Sequence, residues 1–200
     1  MGEYSDKITR YHGKSGREAF ADTLDAVAKR VEAGGINKVL LFSANTDSIA
    51  LLKERLSSHN VRLLVVGFPY KHRFRKADTD EVIIPETSLQ EGKRIIADLG
   101  VDFIQGVMPF EEVLLPGGMP GSLSSIFSQS MSLISHGLIL CISSIIMACE
   151  SGYLEPGEIT ISCAADTSIV ASACDKRMLF HPKLGLDIQE IISKPMTRLL

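Results

Sequence analysis

"NKVLLFSANTDS", residues 37–48, decides the fold. Val39 to Phe42 is a continuous apolar run, the pattern of a strand covered on both faces. It gives way to Ser43, Asn45, Thr46 and Ser48, residue types that open helices. From about Thr46 to Leu56, Ile49, Leu52 and Leu56 recur on one side of a helix. A buried strand feeding an amphipathic helix is the building unit of an α/β fold.

Working outward, the unit repeats. Upstream, Phe20, Leu24, Val27 and Val31 predict a helix entered at Ser15 and Gly16. Downstream, "VRLLVVGF" (61–68) is a second buried strand. Thr87 to Leu99 is helical, carrying Leu89, Ile95, Ile96 and Leu99, and Gly100 closes it. "VDFIQG" (101–106) is a third strand. "MPFEEVLLPGGMPGS" (108–122) is a long glycine-rich loop of the kind that covers a site. Two apolar helices follow, roughly 121–134 and 138–151, then late strands in "EITISCA" and "TSIVASA", and "LDIQEIISKP" (186–195) ends the fold. The alternation predicts a single domain of class α/β, with a mostly parallel sheet covered on both sides and ligands bound beyond the carboxyl ends of its strands.

Composition excludes several classes. The chain has 200 residues, 45% of them hydrophobic and 22% charged, which suits one ordinary globular core. The net charge of −3, with signs mixed throughout, offers no footprint for nucleic acid. "GLILCISSIIMAC" (137–149) falls short of the ~20 apolar residues a bilayer span needs, so it is expected as a buried core helix and not a membrane partner. Cys141, Cys149, Cys163 and Cys174 form no CxxC pair and have no histidine at ligand spacing, which argues against a zinc site. A charged N-terminus without an apolar stretch gives no secretory signal, so a cytoplasmic protein with reduced thiols is expected.

The letters G-K-S at 13–15 imitate the end of a P-loop. The upstream glycine such a loop requires is Ile8 here, with Thr9, Arg10, Tyr11 and His12 between, and no buried strand leads in. The stretch is therefore read as a helix entrance, from which Lys14 or Arg17 would be secondary anion contacts. The stronger candidate lies after the first central strand, where Ser43, Asn45, Thr46 and Ser48 meet the positive end of a helix. An N-cap role alone also accounts for Asn45 or Thr46, and Asp47 would compete with an anion. Three further candidates have plainer roles beside the functional ones. Lys71, Arg73, Arg75 and Lys76, interleaved with Tyr70 and Phe74, would suit a nucleotide or a solvated surface. Asp166 and Thr167 would hold a sugar hydroxyl, supply a base, or form a turn. His136, between two apolar helices, is expected as a core histidine.

These residues, taken in order from Tyr11 to Pro195, resemble the stand-alone bacterial and archaeal proteins of the pyruvate-kinase C-terminal-domain-like family. Gly16 and Glu18 match its opening pair, and "FSANTDS" aligns with its phosphate loop. Gly137, Met147, Ala148 and Gly152 match its Gly-led helix, and "ADTSIV" (165–170) and "EIISKP" (190–195) its closing segments. The resemblance implies a three-layer α/β/α domain over residues 1–200, with 1–10 as an N-terminal extension. Its mixed five-stranded sheet would have order 3-2-1-4-5, the last strand antiparallel. It also implies a phosphate-bearing small-molecule ligand, flavin mononucleotide (FMN) or a sugar phosphate. Ser43, Asn45, Thr46 and Ser48 would hold the phosphate, with Asp166 and Thr167 opposite. The chain departs from the family at Ala19, Phe20, Thr46, Ile139 and Ser143, where the family carries other residues, and in the shortened "SCA" before Ala165. Two rival expectations follow. One is a flavin-phosphate-dependent enzyme or a lyase with Asp166 as base. The other is a structural or regulatory module that lost its ligand site and associates with itself, as a homo-oligomer, or with a protein partner through apolar surface around "LLPGGMPG" (114–121).

Overall fold

The computed structural model describes residues 6–75, 81–111 and 123–197. In chain order these hold β1 (Arg10–His12), a short 3₁₀ turn (Gly16–Ala19), α1 (Phe20–Glu32), β2 (Lys38–Phe42), α2 (Asp47–Arg55) and β3 (Arg62–Gly67). A two-strand hairpin follows, β4 (Phe74–Arg75) with β5 (Val82–Ile83), and then α3 (Gln90–Asp98) and β6 (Asp102–Gln105). The chain continues through α4 (Leu123–Ser132), α5 (His136–Glu150), β7 (Ile159–Cys163), β8 (Ser168–Ser172) and β9 (Asp187–Pro195).

The main sheet has order β1-β9-β8-β7-β2-β3-β6. Neighbours pair parallel except where β8 meets β7 and β9, so β8 alone runs against the rest. The order β6-β3-β2-β7-β8 reproduces the expected 3-2-1-4-5 with an antiparallel fifth strand. The sheet nevertheless has seven strands, not five. β8 is buried along most of its length and would leave a row of buried N–H and C=O groups unpaired if it were an edge. β9 pairs with it, and β1 pairs with β9, while Thr9 Oγ1 donates to Ile191 O at 2.8 Å.

The apolar run of β2 is explained by its two faces. Leu40 and Phe42 enter one core with Leu64, Val66 and α5, while Val39 and Leu41 enter the other with α1, α2 and Ile96 of α3. Successive side chains of a strand point to opposite faces, so two covered faces require apolar residues at every position. The result is the expected three-layer α/β/α arrangement.

The helix at 137–149 is a core helix as anticipated: α5 buries most of its residues, and Ser144 Oγ donates to Leu140 O of its own helix at 2.8 Å. No helix among the described residues is long and apolar enough to cross a membrane. The segments "LLPGGMPG" and Lys76 lie outside the described residues.

Candidate functional site

The sheet order places the candidate loops side by side. β2 lies between β3 and β7, paired in parallel with each, and Leu41 is in register with Cys163. The chain leaves β2 toward β3 on one side, and β7 enters on the other. A crevice at such a reversal, beyond the strand carboxyl ends, is where open α/β sheets bind ligands. The loops that flank it are Ser43–Thr46 and Ala164–Thr167.

The first loop is tied by its own side chains. Ser43 Oγ donates to Asn45 O at 2.8 Å and accepts from Asn45 N at 3.2 Å. Asn45 Oδ1 accepts from Ser48 N at 3.3 Å and from Ser48 Oγ. Thr46 donates twice to Glu86 Oε2, from its backbone N and its hydroxyl, both at 3.1 Å. Glu86 thus sets a carboxylate at the positive end of α2, where the helix dipole favours it. Thr87 fixes the same loop through Oγ1 to Ser43 O at 2.8 Å and N to Ala44 O at 3.2 Å. Neither Glu86 nor Thr87 was singled out from the sequence. The segment carrying them lies some 40 positions away, and only the fold joins it to α2.

The second loop buries its polar residues. Asp166 is 5% exposed and Thr167 1%. Asp166 Oδ2 accepts from Gly16 N at 2.7 Å, and Oδ1 accepts from Thr167 Oγ1 at 2.8 Å. Thr167 Oγ1 also bonds Ser135 Oγ, which accepts from Gly137 N at 3.2 Å as the N-cap of α5. One direction satisfies every member: Gly137 N–H to Ser135, Ser135 to Thr167, Thr167 to the Asp166 carboxylate. A chain of donors ending on an anion is mutually reinforcing.

The two loops meet at Arg17. Arg17, Ser43, Asn45 and Ser48 line a cavity of about 90 Å³, closed by Phe20, Phe42 and the backbone neighbourhood of Ala165. This is room for a group the size of a phosphoryl. The Arg17 side chain makes no ion pair or hydrogen bond with the described residues, while its backbone carbonyl accepts from Phe20 N–H. Thr46 is turned to Glu86, and Asp166 and Thr167 stand behind the Gly16–Ala19 turn, outside the cavity lining.

The remaining candidates lie elsewhere. Lys14 is exposed and pairs with Glu18 at 3.5 Å on the surface. Beyond β3, the Lys71 and Lys93 ammoniums flank the Tyr70 ring at 5.4 and 5.1 Å, while Phe68 stacks on His72 at 5.0 Å. Arg73 is exposed. His136 corrects the expectation of a core histidine: it is exposed at the first position of α5. Ser135 caps and ends the apolar run, and the residue after the cap faces outward.

The buried histidine is His12. It bonds Thr23 Oγ1 at 3.1 Å, and because Thr23 donates to Ala19 O, His12 Nε2 acts as donor. Burial pushes its pKa below the usual 6.5, Asp22 and Asp166 pull it up, and Arg10 pushes it down. Burial also raises every thiol: Cys141 well above its ordinary value, Cys163 to about 12, Cys149 to about 11, and Cys174 upward. Among the described residues no group of three or more His, Cys, Asp or Glu is placed to hold a metal ion. No protein-family model matches the chain, and no curated protein matches it.

Proposed function

We propose that this chain binds a phosphate-bearing small molecule at the carboxyl ends of β2 and β7, with the phosphoryl group in the cavity of Arg17, Ser43, Asn45 and Ser48. The observation that carries this reading is Arg17: a guanidinium without a partner among the described residues, lining one cavity with a hydroxyl- and amide-rich loop at the sheet's reversal point. Guanidinium matches phosphate in charge and in fork geometry. Because the amides of Asn45, Thr46 and Ser48 and the hydroxyls of Ser43 and Ser48 already donate within the loop or to Glu86, recognition rests first on the Arg17 guanidinium and the Asn45 carboxamide N–H2, with the two serines shaping the loop. On this reading the phosphoryl group fills the cavity and the rest of the ligand extends from its open side.

FMN and a sugar phosphate are the ligands that the resemblance to the pyruvate-kinase C-terminal-domain-like family favours. A cytoplasmic setting accords with four free thiols. The reading assigns binding and no reaction, since both oxygens of Asp166 already accept hydrogen bonds. The test is titration of FMN and a hexose phosphate by calorimetry, together with mass spectrometry of any small molecule released on denaturation. Binding that Arg17→Ala and the pair Ser43→Ala, Ser48→Ala weaken at least tenfold supports the site. Binding indifferent to all three substitutions refutes it.

A second reading, a module that self-associates, is favoured by one specific observation. Leu123 is 86% and Phe180 77% exposed along the α4 flank, beside the half-exposed Ile126. A strictly monomeric protein in analytical ultracentrifugation would remove it.

A further inference from the structure

We propose that Asp166 is a positioning residue for the phosphate cavity: it holds the Gly16–Ala19 turn so that Arg17 faces Ser43, Asn45 and Ser48. The inference rests on the binding reading above and adds to it the device that keeps the guanidinium in place. Three observations join here.

Gly16 has φ +60, a left-handed conformation that ordinary side chains resist. Ser15 gives the turn no side-chain cap, so the Gly16 N–H would be left without an intramolecular partner. The carboxylate of Asp166, 150 positions along the chain, supplies one at 2.7 Å. At the other end of the turn, Ala19 and Phe20 are buried and fixed in the core. Arg17 is therefore carried on a span of backbone pinned at both ends. An exposed arginine on a free loop would spread over many rotamers, and holding its backbone removes part of that cost at binding.

The carboxylate is itself immobilised. Its second oxygen takes the hydroxyl of Thr167, and Ser135 and Gly137 N–H continue that line into the first turn of α5. Gly137 lies so close that a Cβ there would stand 2.8 Å from Asp166 Oδ1. Helix α5, the loop after β7 and the turn before α1 thus converge on one buried anion. Asp166 does not line the cavity, although the adjoining Ala165 does, and its bond to Gly16 is the route by which it acts on Arg17.

The experiment is a double-mutant cycle on Asp166→Asn and Arg17→Ala, read as the affinity for FMN and for inorganic phosphate by calorimetry. Asparagine turns the charged bond to Gly16 N–H into a neutral one, and its N–H2 facing Thr167 Oγ1 reverses the Thr167–Ser135 bond, which leaves the Ser135 proton without that acceptor. Arg17→Ala should weaken binding about tenfold or more, the scale of a charge-assisted hydrogen bond. Asp166→Asn should weaken it severalfold in the wild type and not at all in the Arg17→Ala background, because its effect passes through the missing guanidinium.

An equal loss in both backgrounds, or no loss in either, overturns the positioning role while leaving the cavity reading intact. Binding that Arg17→Ala leaves unchanged overturns both, as does a wild type that binds neither probe. Should Asp166→Asn fail to fold, Gly16→Ala replaces it in the cycle. A Cβ at Gly16 meets open space and strains only the φ of the turn. It is expected to give the same loss and the same dependence on Arg17, and additivity there overturns the proposal equally.

Discussion

Substituting Gly137 by alanine tests how tightly α5 is seated on the Asp166 network. A Cβ at this position would lie 2.6 Å from Thr167 Oγ1, 2.7 Å from Thr167 Cβ and 2.8 Å from Asp166 Oδ1. Ordinary contact begins near 3.4 Å, so Thr167 or the start of α5 must retreat by about 0.8 Å. Neither has room: Thr167 is fully buried within the β7–β8 connection, and Ser135 and Gly137 are buried at the helix start. Overpacking of this kind costs about 1–3 kcal/mol. Pulling Thr167 off the carboxylate adds the loss of a hydrogen bond to a charged group, about 1.5–3 kcal/mol. Against this, alanine in a helix gains at most about 1 kcal/mol over glycine. The steric effect wins, and Gly137→Ala is expected to destabilise by about 2–4 kcal/mol. For a chain of this length that lowers Tm by about 4–16 °C. Urea denaturation followed by circular dichroism, with the m-value unchanged, measures it. A variant as stable as the wild type, or more so, refutes the close seating of α5 on Asp166 and Thr167.

Three further outcomes follow from other parts of the molecule. Glu86→Ala removes the carboxylate that both Thr46 donors share and should cost about 1 kcal/mol, the ordinary value of a helix cap, in urea titrations; no change would mean water replaces it without loss. His12 has its pKa lowered in the folded state, so the unfolded chain takes up the proton first. The stability it contributes is complete above pH 6.5 and declines as pH falls below that value toward the folded pKa. Denaturation at pH 7.5 and 5.5 should show this loss, and His12→Gln should reduce it; an identical slope in the variant would assign it to other groups. The four free thiols, raised by burial, should resist a disulfide reagent at pH 8 in the folded protein, Cys149 least of them since it is half-buried, and all should react in urea. Rapid stoichiometric labelling of the native protein would contradict their burial.

The parts of the fold legible in the sequence are those where a local pattern has one physical cause. The run Val39–Phe42 can be apolar throughout only because alternate residues enter two different cores, and the spacing of Phe20, Leu24, Val27 and Val31 reports the face of α1 laid on one of them. The two outer strands had no such signature. β9 mixes exposed and half-buried residues over its first half, and its pairing with β8 shifts register twice, between Ser168 and Ile169 and between Val170 and Ala171. β1 is three residues long and buries only His12. Their presence follows from β8, whose backbone groups cannot remain unpaired, and that requirement becomes visible only when strand order is known.

The candidate site divides along the same line. Ser43, Asn45 and Ser48 were recognisable because hydroxyls and a carboxamide between a buried strand and a helix have a local reason to be there. Their geometry also shows why that signal is ambiguous: the same atoms that would face a phosphate already tie the loop to itself. What distinguishes an anion site from a helix cap is a free cation, and Arg17 arrives from a turn whose place is set by Asp166, 150 positions away. From the sequence alone Asp166 has the chemistry of a ligand contact, while the turn it holds has only the pattern of a helix entrance. The two observations belong to one device, and their connection is a single hydrogen bond that no periodicity or spacing encodes. Residue types mark where polar chemistry fits a fold, whereas on the proposed reading the long-range bond decides which of those residues would meet a ligand and which one would aim it.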